Sequence, residues 1–270
     1  MPKHPKTDPL NLAYEAVDRD NSGESAHTRR QLVGAAALGL GGIAAASMPG
    51  IAAAAPKRRG DGPNDPQTIL NVAASAEVLA TIVNTVGAER VNLDSVTRRN
   101  VRAAAGEELI HFKVLDSLGG VPASKKIWIP DAVFASPKNL LETLEVGDQI
   151  FINAYLIGTT TFGNMGDGKT ARYTAEFMGA EAVHRALARQ SLGKLGNDRV
   201  FMKFNDREKA PGAPNKGQRG FRDITKAVDQ LQAAGFGFGE KGAKPGDFYQ
   251  FDNVKKRTPM PADLNQLTLD

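Results

Sequence analysis

Cysteine is absent from the 270 residues, which include only four histidines and one tryptophan, with aromatics at 6%. Without cysteine there is no disulfide, no thiolate metal site and no cysteine nucleophile. Any metal must then be held by carboxylate and imidazole, donors that suit iron, manganese or zinc rather than soft-metal chemistry. Few aromatics beside a hydrophobic fraction of 41% suit helices packed through Ala and Leu. A basic stripe interleaved with aromatics is also missing. The formal net charge is +4, and residues 192–270 hold 14 Lys+Arg against 10 Asp+Glu. The excess reads as a solvated basic tail, so nucleic acid is not an expected partner.

Residues 1–27 are polar and unpatterned. Thr28-Arg29-Arg30-Gln31-Leu32-Val33 follows, and then an apolar run rich in Ala and Gly from Gly34 to Ile51. This segment resembles a twin-arginine export signal, with Leu32 where the pattern usually has Phe. Ala52-Ala53-Ala54 offers a peptidase site. The run is nearly long enough to span a membrane, but its Ala/Gly content makes a poor anchor, so membrane contact is expected only where the signal stays uncleaved. The resemblance implies a periplasmic or extracellular destination. The expected organisation is a signal and N-region over 1–54, a linker over 55–64, a helical domain over 65–193 and an extension over 194–270.

Four helices are predicted in the domain. Asp65-Pro66 supplies an N-cap with proline at the first helical position. From there Ile69, Val72, Ala73, Ala76, Ala80 and Val83 recur at helical spacing to a stop at Gly87, with Glu77 on the same face. A second helix starts near Asp94-Ser95 and presents Val101, Ala104, Glu108, His111, Phe112 and Leu115 on one face before Gly119-Gly120. Residues 119–137 show no helical period. Nineteen extended residues at ~3.3 Å each can cross the length of a helix of ~35 Å, which would make the second and third helices parallel. Ser136-Pro137 opens the third helix, which carries Leu141, Leu144, Asp148, Phe151, Ile152 and Tyr155 and stops at Gly158. Asp167 caps the fourth, with Tyr173, Phe177, Met178, Glu181, His184 and Ala188 on one side. In the extension, one helix is expected over Phe221–Ala234. Phe236, Phe238, Phe248, Tyr249 and Phe251 are expected to pin an otherwise irregular segment onto the helices.

Glu108-x-x-His111 and Glu181-x-x-His184 each put a carboxylate and an imidazole on one helix face. Beyond residue 54 the chain has no other histidine. Together with Glu77 and Asp148, the helices supply one acid from each of two and a Glu-x-x-His from each of the other two, a di-metal carboxylate pattern. Four carboxylates buried together repel, and two divalent ions would neutralise them. The expected ligands are therefore Glu77, Glu108, His111, Asp148, Glu181 and His184, with Glu108 and Glu181 bridging. Tyr155 lies two turns from Asp148 and reads as a core aromatic, with a partner role toward the ligands as the alternative. Glu107 and Glu176 fall off the inward faces and read as solvated.

Ala76-Glu77-Val78-Leu79, Glu107-Glu108-Leu109-Ile110-His111, Asp148 with Ala154-Tyr155-Leu156, and Ala180-Glu181-Ala182-Val183-His184 carry a family resemblance. From about Asp65 to Gly193 the chain resembles the ferritin-like superfamily, in particular exported bacterial ferritin-like proteins related to plant desiccation-associated proteins. The family usually has Glu where this chain has Asp148, which shortens that ligand by one methylene, about 1.5 Å. The resemblance implies an all-α fold: a ferritin-like four-helix bundle with a long crossover between helices 2 and 3, here followed by an irregular C-terminal extension. It also implies two Fe or Mn ions, O2 or peroxide as reactant, a role in stress protection, and a homo-oligomer as one assembly. Members include oxidases, ferroxidases, catalases and relatives without activity, so a non-catalytic protein is the alternative.

A rival motif runs from Gly163 to Thr170, a full match to the phosphate-binding pattern Gly-x4-Gly-Lys-Thr. As a phosphate loop it would make the protein a nucleotide hydrolase. No Val/Ile-rich strand precedes it, and it reads instead as a Gly-rich turn between the third and fourth helices.

The twin-arginine resemblance has a direct consequence. Replacing Arg29 and Arg30 by Lys is expected to leave folded protein in the cytoplasm. Equal amounts of exported protein from variant and parent, measured by fractionation, would overturn that assignment.

Overall fold

Each of the four predicted helix starts is a helix start. The computed structural model describes residues 62–197, 202–203 and 218–260, and the segment that resembles an export signal lies outside them. Helices α1 (Pro66–Arg90), α2 (Ser95–Ser117), α3 (Pro137–Asn164) and α4 (Gly168–Ser191) make the described residues mostly helical. Asp65, Asp94, Ser136 and Asp167 accept hydrogen bonds from backbone N–H groups in the first turn of their helices. These bonds satisfy donors that have no partner inside the helix. Proline opens α1 and α3, where its missing N–H costs nothing.

The predicted stops at Gly87 and Gly158 do not occur; α1 runs on to Arg90 and α3 to Asn164. Both glycines instead mark close approaches. A Cβ at Gly87 would lie 2.7 Å from the Leu140 side chain, and one at Gly158 would lie 3.1 Å from Thr174 Cγ2 and 3.4 Å from Ile69 Cγ2. A glycine inside a helix costs about 1 kcal/mol, which tight interhelical packing offsets.

These contacts also set the directions. The end of α1 meets the start of α3 at Gly87 and Leu140, and the start of α1 meets the end of α3 at Ile69 and Gly158, so these two helices are antiparallel. Short turns make α1 antiparallel to α2 and α3 antiparallel to α4. It follows that α2 and α3 run parallel, and the segment between them crosses the length of the helices. At its start Gln67 donates to the Gly119 carbonyl at 2.8 Å. Across the other diagonal, the Thr97 and Ser191 hydroxyls are 2.9 Å apart, bringing the start of α2 to the end of α4.

The crossover is not simply a connection. It contains β1 (Lys126–Pro130), which pairs antiparallel on one side with β4 (Gly237–Phe238) and on the other with β5 (Gly246–Gln250). Ile127 stands opposite both Phe238 and Tyr249. A second pairing joins β2 (Met202–Lys203) and β3 (Gln218–Arg219) in parallel. The extension, expected to be irregular with one helix, therefore builds a small sheet with the crossover. It also forms helices α5 (Thr225–Ala233, shorter than the expected Phe221–Ala234) and α6 (Phe251–Val254). Short strands far apart in sequence carry no local period, because each is stabilised by its partner rather than by its own pattern.

As expected, aromatics pin this segment. Phe236, Phe238 and Phe251 are buried, and Phe251 meets Phe112 of α2 edge-on with ring centroids 4.7 Å apart. Trp128 donates to the Lys244 carbonyl at 2.9 Å. Asn153 of α3 donates to the Phe221 carbonyl at 2.7 Å and accepts from its N–H. With α2 and α3 on one side and α5 and α6 on the other, α1 is buried all round rather than on one face. It is long and apolar enough to cross a membrane by length and composition, and its apolar window is wholly enclosed in the protein.

Between α3 and α4 the core holds a charged group. Glu145 is 3% exposed, accepts from the Arg189 guanidinium, and accepts from Lys194 Nζ at 2.6 Å. Burial works against its ionisation, but Lys194, then Arg189 and Arg185, outweigh it and hold the carboxyl below its ordinary value. A carboxyl depressed in the folded state stabilises fully above its unfolded value of about 4.3, and the contribution fades as pH falls through the folded value. Glu145→Ala is expected to cost about 3–5 kcal/mol at pH 7, because it removes the carboxylate from a buried ion pair with Arg189. In urea titrations the gap to the parent should narrow below about pH 4. A gap that is negligible at pH 7, or constant with pH, would refute this role.

Candidate metal centre

The inward faces of the four long helices meet at one level. Glu77 on α1, Glu108 on α2 and Glu181 on α4 are fully buried, and His111, Asp148, Tyr155 and His184 are nearly so. His111 Nδ1 lies 3.6 Å from Glu77 Oε1, 3.3 Å from Glu108 Oε2 and 3.4 Å from Glu181 Oε1. His184 Nδ1 lies 3.3 Å from Glu108 Oε1 and 3.5 Å from Glu181 Oε2. Each of the two glutamates thus turns one oxygen to one imidazole and the other oxygen to the second. Asp148 on α3 lines one small cavity together with His184.

These groups have little else to bind. Glu77 Oε2, both oxygens of Glu108 and of Glu181, Asp148 Oδ2 and both Nδ1 atoms are buried without a hydrogen-bond partner. Buried polar atoms are normally paired, and a cluster of orphaned oxygens and imidazole nitrogens is a donor set for a cation. Glu77, Glu108, His111 and Glu181 offer ligand atoms all within 4.8 Å of one another and can hold a metal ion. Four of the six candidates thus come together as one possible ligand group. His184 lies beside two of them, Glu108 and Glu181, and Asp148 is buried without belonging to that group.

Electrostatics describe the site without an ion. Burial, then the nearby Glu108 carboxylate, raises Glu77 well above the ordinary carboxylate range. Burial and Glu181 do the same to Asp148. Burial opposes the charging of Glu108, but the two imidazoles beside it, each 3.3 Å away, prevail and hold it well below that range. Burial also opposes protonation of the imidazoles, yet the surrounding carboxylates raise both His111 and His184 well above their ordinary value. Protons thus supply the positive charge that a metal can supply instead, and metal binding at such a site displaces them.

Two further residues complete the arrangement. Tyr155 is buried, more than a core aromatic, because its hydroxyl donates to Glu77 Oε1. Its ring and that of Phe177 enclose His111, the Phe177 centroid lying 4.2 Å from the imidazole. Glu107, expected to be solvated, is half-exposed and accepts from His184 Nε2 at 2.6 Å. That bond fixes the ring so that Nδ1 faces the cluster, the usual role of a carboxylate behind a metal-binding imidazole. The period of α2 points Glu107 off the inward face; only the approach of α4 reveals its partner. Glu176, also expected to be solvated, forms an exposed ion pair with Arg172.

The phosphate-loop motif has no such support. Gly163 and Asn164 are still part of α3, no strand precedes them, and the Asp167 carboxylate occupies the α4 N-terminus by accepting from Thr170 N–H at 3.0 Å. An acid in that position repels a phosphate.

No protein-family model, curated protein or solved structure that was compared with the chain matches it.

Tyr155→Phe removes a donor from a buried carboxyl group. It is expected to destabilise the metal-free protein by about 1–3 kcal/mol, read from thermal or urea unfolding. A negligible loss would show that the hydroxyl does not support Glu77.

Proposed function

We propose that the protein is an exported ferritin-like di-metal carboxylate protein that binds two Fe or Mn ions and handles O2 or peroxide in stress protection. The observation that carries this reading is the crossed geometry of Glu108 and Glu181. Each offers one oxygen toward His111 Nδ1 and one toward His184 Nδ1, at 3.3–3.5 Å. Two carboxylates divided in this way are suited to bridge two ions, each also ligated by its own imidazole. Parallel α2 and α3 with a long crossover favour the ferritin-like connection of four helices.

In this proposal Glu77 completes the His111 position and Asp148 the His184 position. Tyr155 holds Glu77 in place from behind, and Glu107 holds His184. The enclosing Phe177 and Tyr155 rings keep bulk water from the His111 side. Bound redox-active ions would supply electrons to a small oxidant, chemistry that carboxylate and imidazole side chains lack on their own. Asp148, shorter by one methylene than Glu, gives the His184 position a weaker terminal ligand.

Calorimetric titration with Fe(II), Mn(II) and Zn(II) tests the proposal. Two binding events of unequal affinity are expected, with a stabilisation of about 2.7 kcal/mol at a hundredfold excess over Kd. Asp148→Glu should tighten the weaker event, and Glu108→Ala should abolish both. Absence of binding by all three ions would overturn the di-metal reading. Equal sites, or unchanged binding in Glu108→Ala, would overturn the assignment of roles.

A further inference from the structure

Asp148 borders open space. Two cavities meet it together with Asn84, and neither touches Glu77 or His111. The larger, about 40 Å³, lies between α1, α3 and α5 and is walled by Leu79, Val83, Leu144, Phe151, Leu231 and Phe236. Its polar side chains are Asn84, Asp148 and the half-buried Thr143.

All three of these side chains present acceptors. Asn84 is 2% exposed and donates to the Ala80 carbonyl at 3.1 Å. A carbonyl can only accept, so this bond fixes which end of the amide is nitrogen. Asn84 Oδ1 is left buried without a partner. Asp148 is 4% exposed, and its Oδ2 has no partner either. Thr143 gives its hydroxyl proton to the Asn139 carbonyl at 2.8 Å, so its oxygen keeps lone pairs to offer. No lysine, arginine or histidine lines the cavity. A buried acceptor left unmet costs about 1–3 kcal/mol, and a ligand that donates to these groups removes that cost.

Donor count, charge and size select the occupant. Water has two protons to give, but its own lone pairs would face aliphatic walls. An alcohol has one proton to give. A primary ammonium has three N–H groups for the three acceptors, and its charge answers the Asp148 carboxylate. A buried charge is tolerated when it is paired and its hydrogen bonds are satisfied. A single water needs about 10–15 Å³ and an apolar cavity of about 150 Å³ holds benzene, so 40 Å³ accommodates a nitrogen and one or two carbons. We propose that the cavity between α1, α3 and α5 binds a short primary alkylammonium ion, its nitrogen held by Asn84, Asp148 and Thr143 and its carbons against the apolar walls. The site does not rest on the di-metal reading, because a carboxylate has two oxygens and Asp148 can serve the cavity with one of them. The C-terminal extension takes part in binding, since Leu231, Ala234 and Phe236 form one wall.

The metal-free protein serves for the test, in titrations at constant ionic strength followed by methyl resonances. With methylammonium or ethylammonium, methyls of Leu79, Val83, Leu144 and Leu231 should shift saturably. The equally buried methyls of Ile82 and Val86, which do not line the cavity, should stay in place. Ethanol, of the same size with one donor, should bind at least about tenfold more weakly, the factor that a lost charge-assisted hydrogen bond predicts. Tetramethylammonium, a cation without N–H, should not displace ethylammonium. Ala234→Val, which fills the space, and Thr143→Val, which removes an acceptor, should each weaken ethylammonium several-fold. Absence of a saturable shift with either ammonium ion would overturn the site. Ethanol binding as tightly as ethylammonium would overturn the choice of a cation. Unchanged affinity in both variants would put the ligand elsewhere and overturn the proposal.

Discussion

Glu77, Glu108, Asp148 and Glu181 stand together where water does not reach, and their mutual repulsion must be answered from within the protein. Without an ion, the answer is protons and imidazolium: Glu77 and Asp148 are pushed up, and His111 and His184 are raised by the carboxylates around them. Such an arrangement lowers stability relative to an apolar core of the same volume. It persists because four long helices, each capped and packed along its length, hold the side chains where repulsion alone would separate them. The cost is concentrated in one layer, and the Ala- and Leu-rich packing above and below it supplies the compensation.

The enclosure of that layer depends on parts of the chain remote from it in sequence. α1 carries a single candidate ligand, but its other faces would lie in water were they not covered by α5 and α6. The sheet formed by the crossover and the extension fastens this cover. Trp128, the Asn153 clamp on Phe221 and the Phe251–Phe112 contact all tie the two together. The same cover leaves the site lopsided, with aromatic rings and a tyrosine hydroxyl on the His111 side and open space on the Asp148 side.

Much of the candidate site was legible in the sequence because its candidate ligands obey helical spacing. Glu108 with His111 and Glu181 with His184 are one turn apart, and an acid within an apolar stripe, such as Asp148, demands an explanation from its burial alone. Glu107 was not legible. It lies about 100° around the helix from Glu108, on what a periodic reading takes as the outer face, and its partner His184 belongs to another helix. Tyr155 was half legible: its inward position followed from spacing, its bond to Glu77 did not. Gly87 and Gly158 misled for a related reason, since a glycine that ends a helix and one that admits a neighbour look alike in one dimension.

By itself the sequence determined the four helices, their caps, their inward stripes and the six candidate ligands. All of these are local properties, set by hydrogen bonding within a turn and by the 3.6-residue period. The length of the crossover further allowed α2 and α3 to run parallel. Tertiary structure alone decided which carboxylate oxygen faces which imidazole, which outer residue supports His184, where the extension pairs with β1, and which side of the site has room for a small molecule. Those outcomes depend on contacts such as those of 3.3 Å from His184 to Glu108 and 2.6 Å from His184 to Glu107, and on strand pairing, between segments tens to more than a hundred residues apart. No local preference encodes a distance between elements that meet only when the chain has folded.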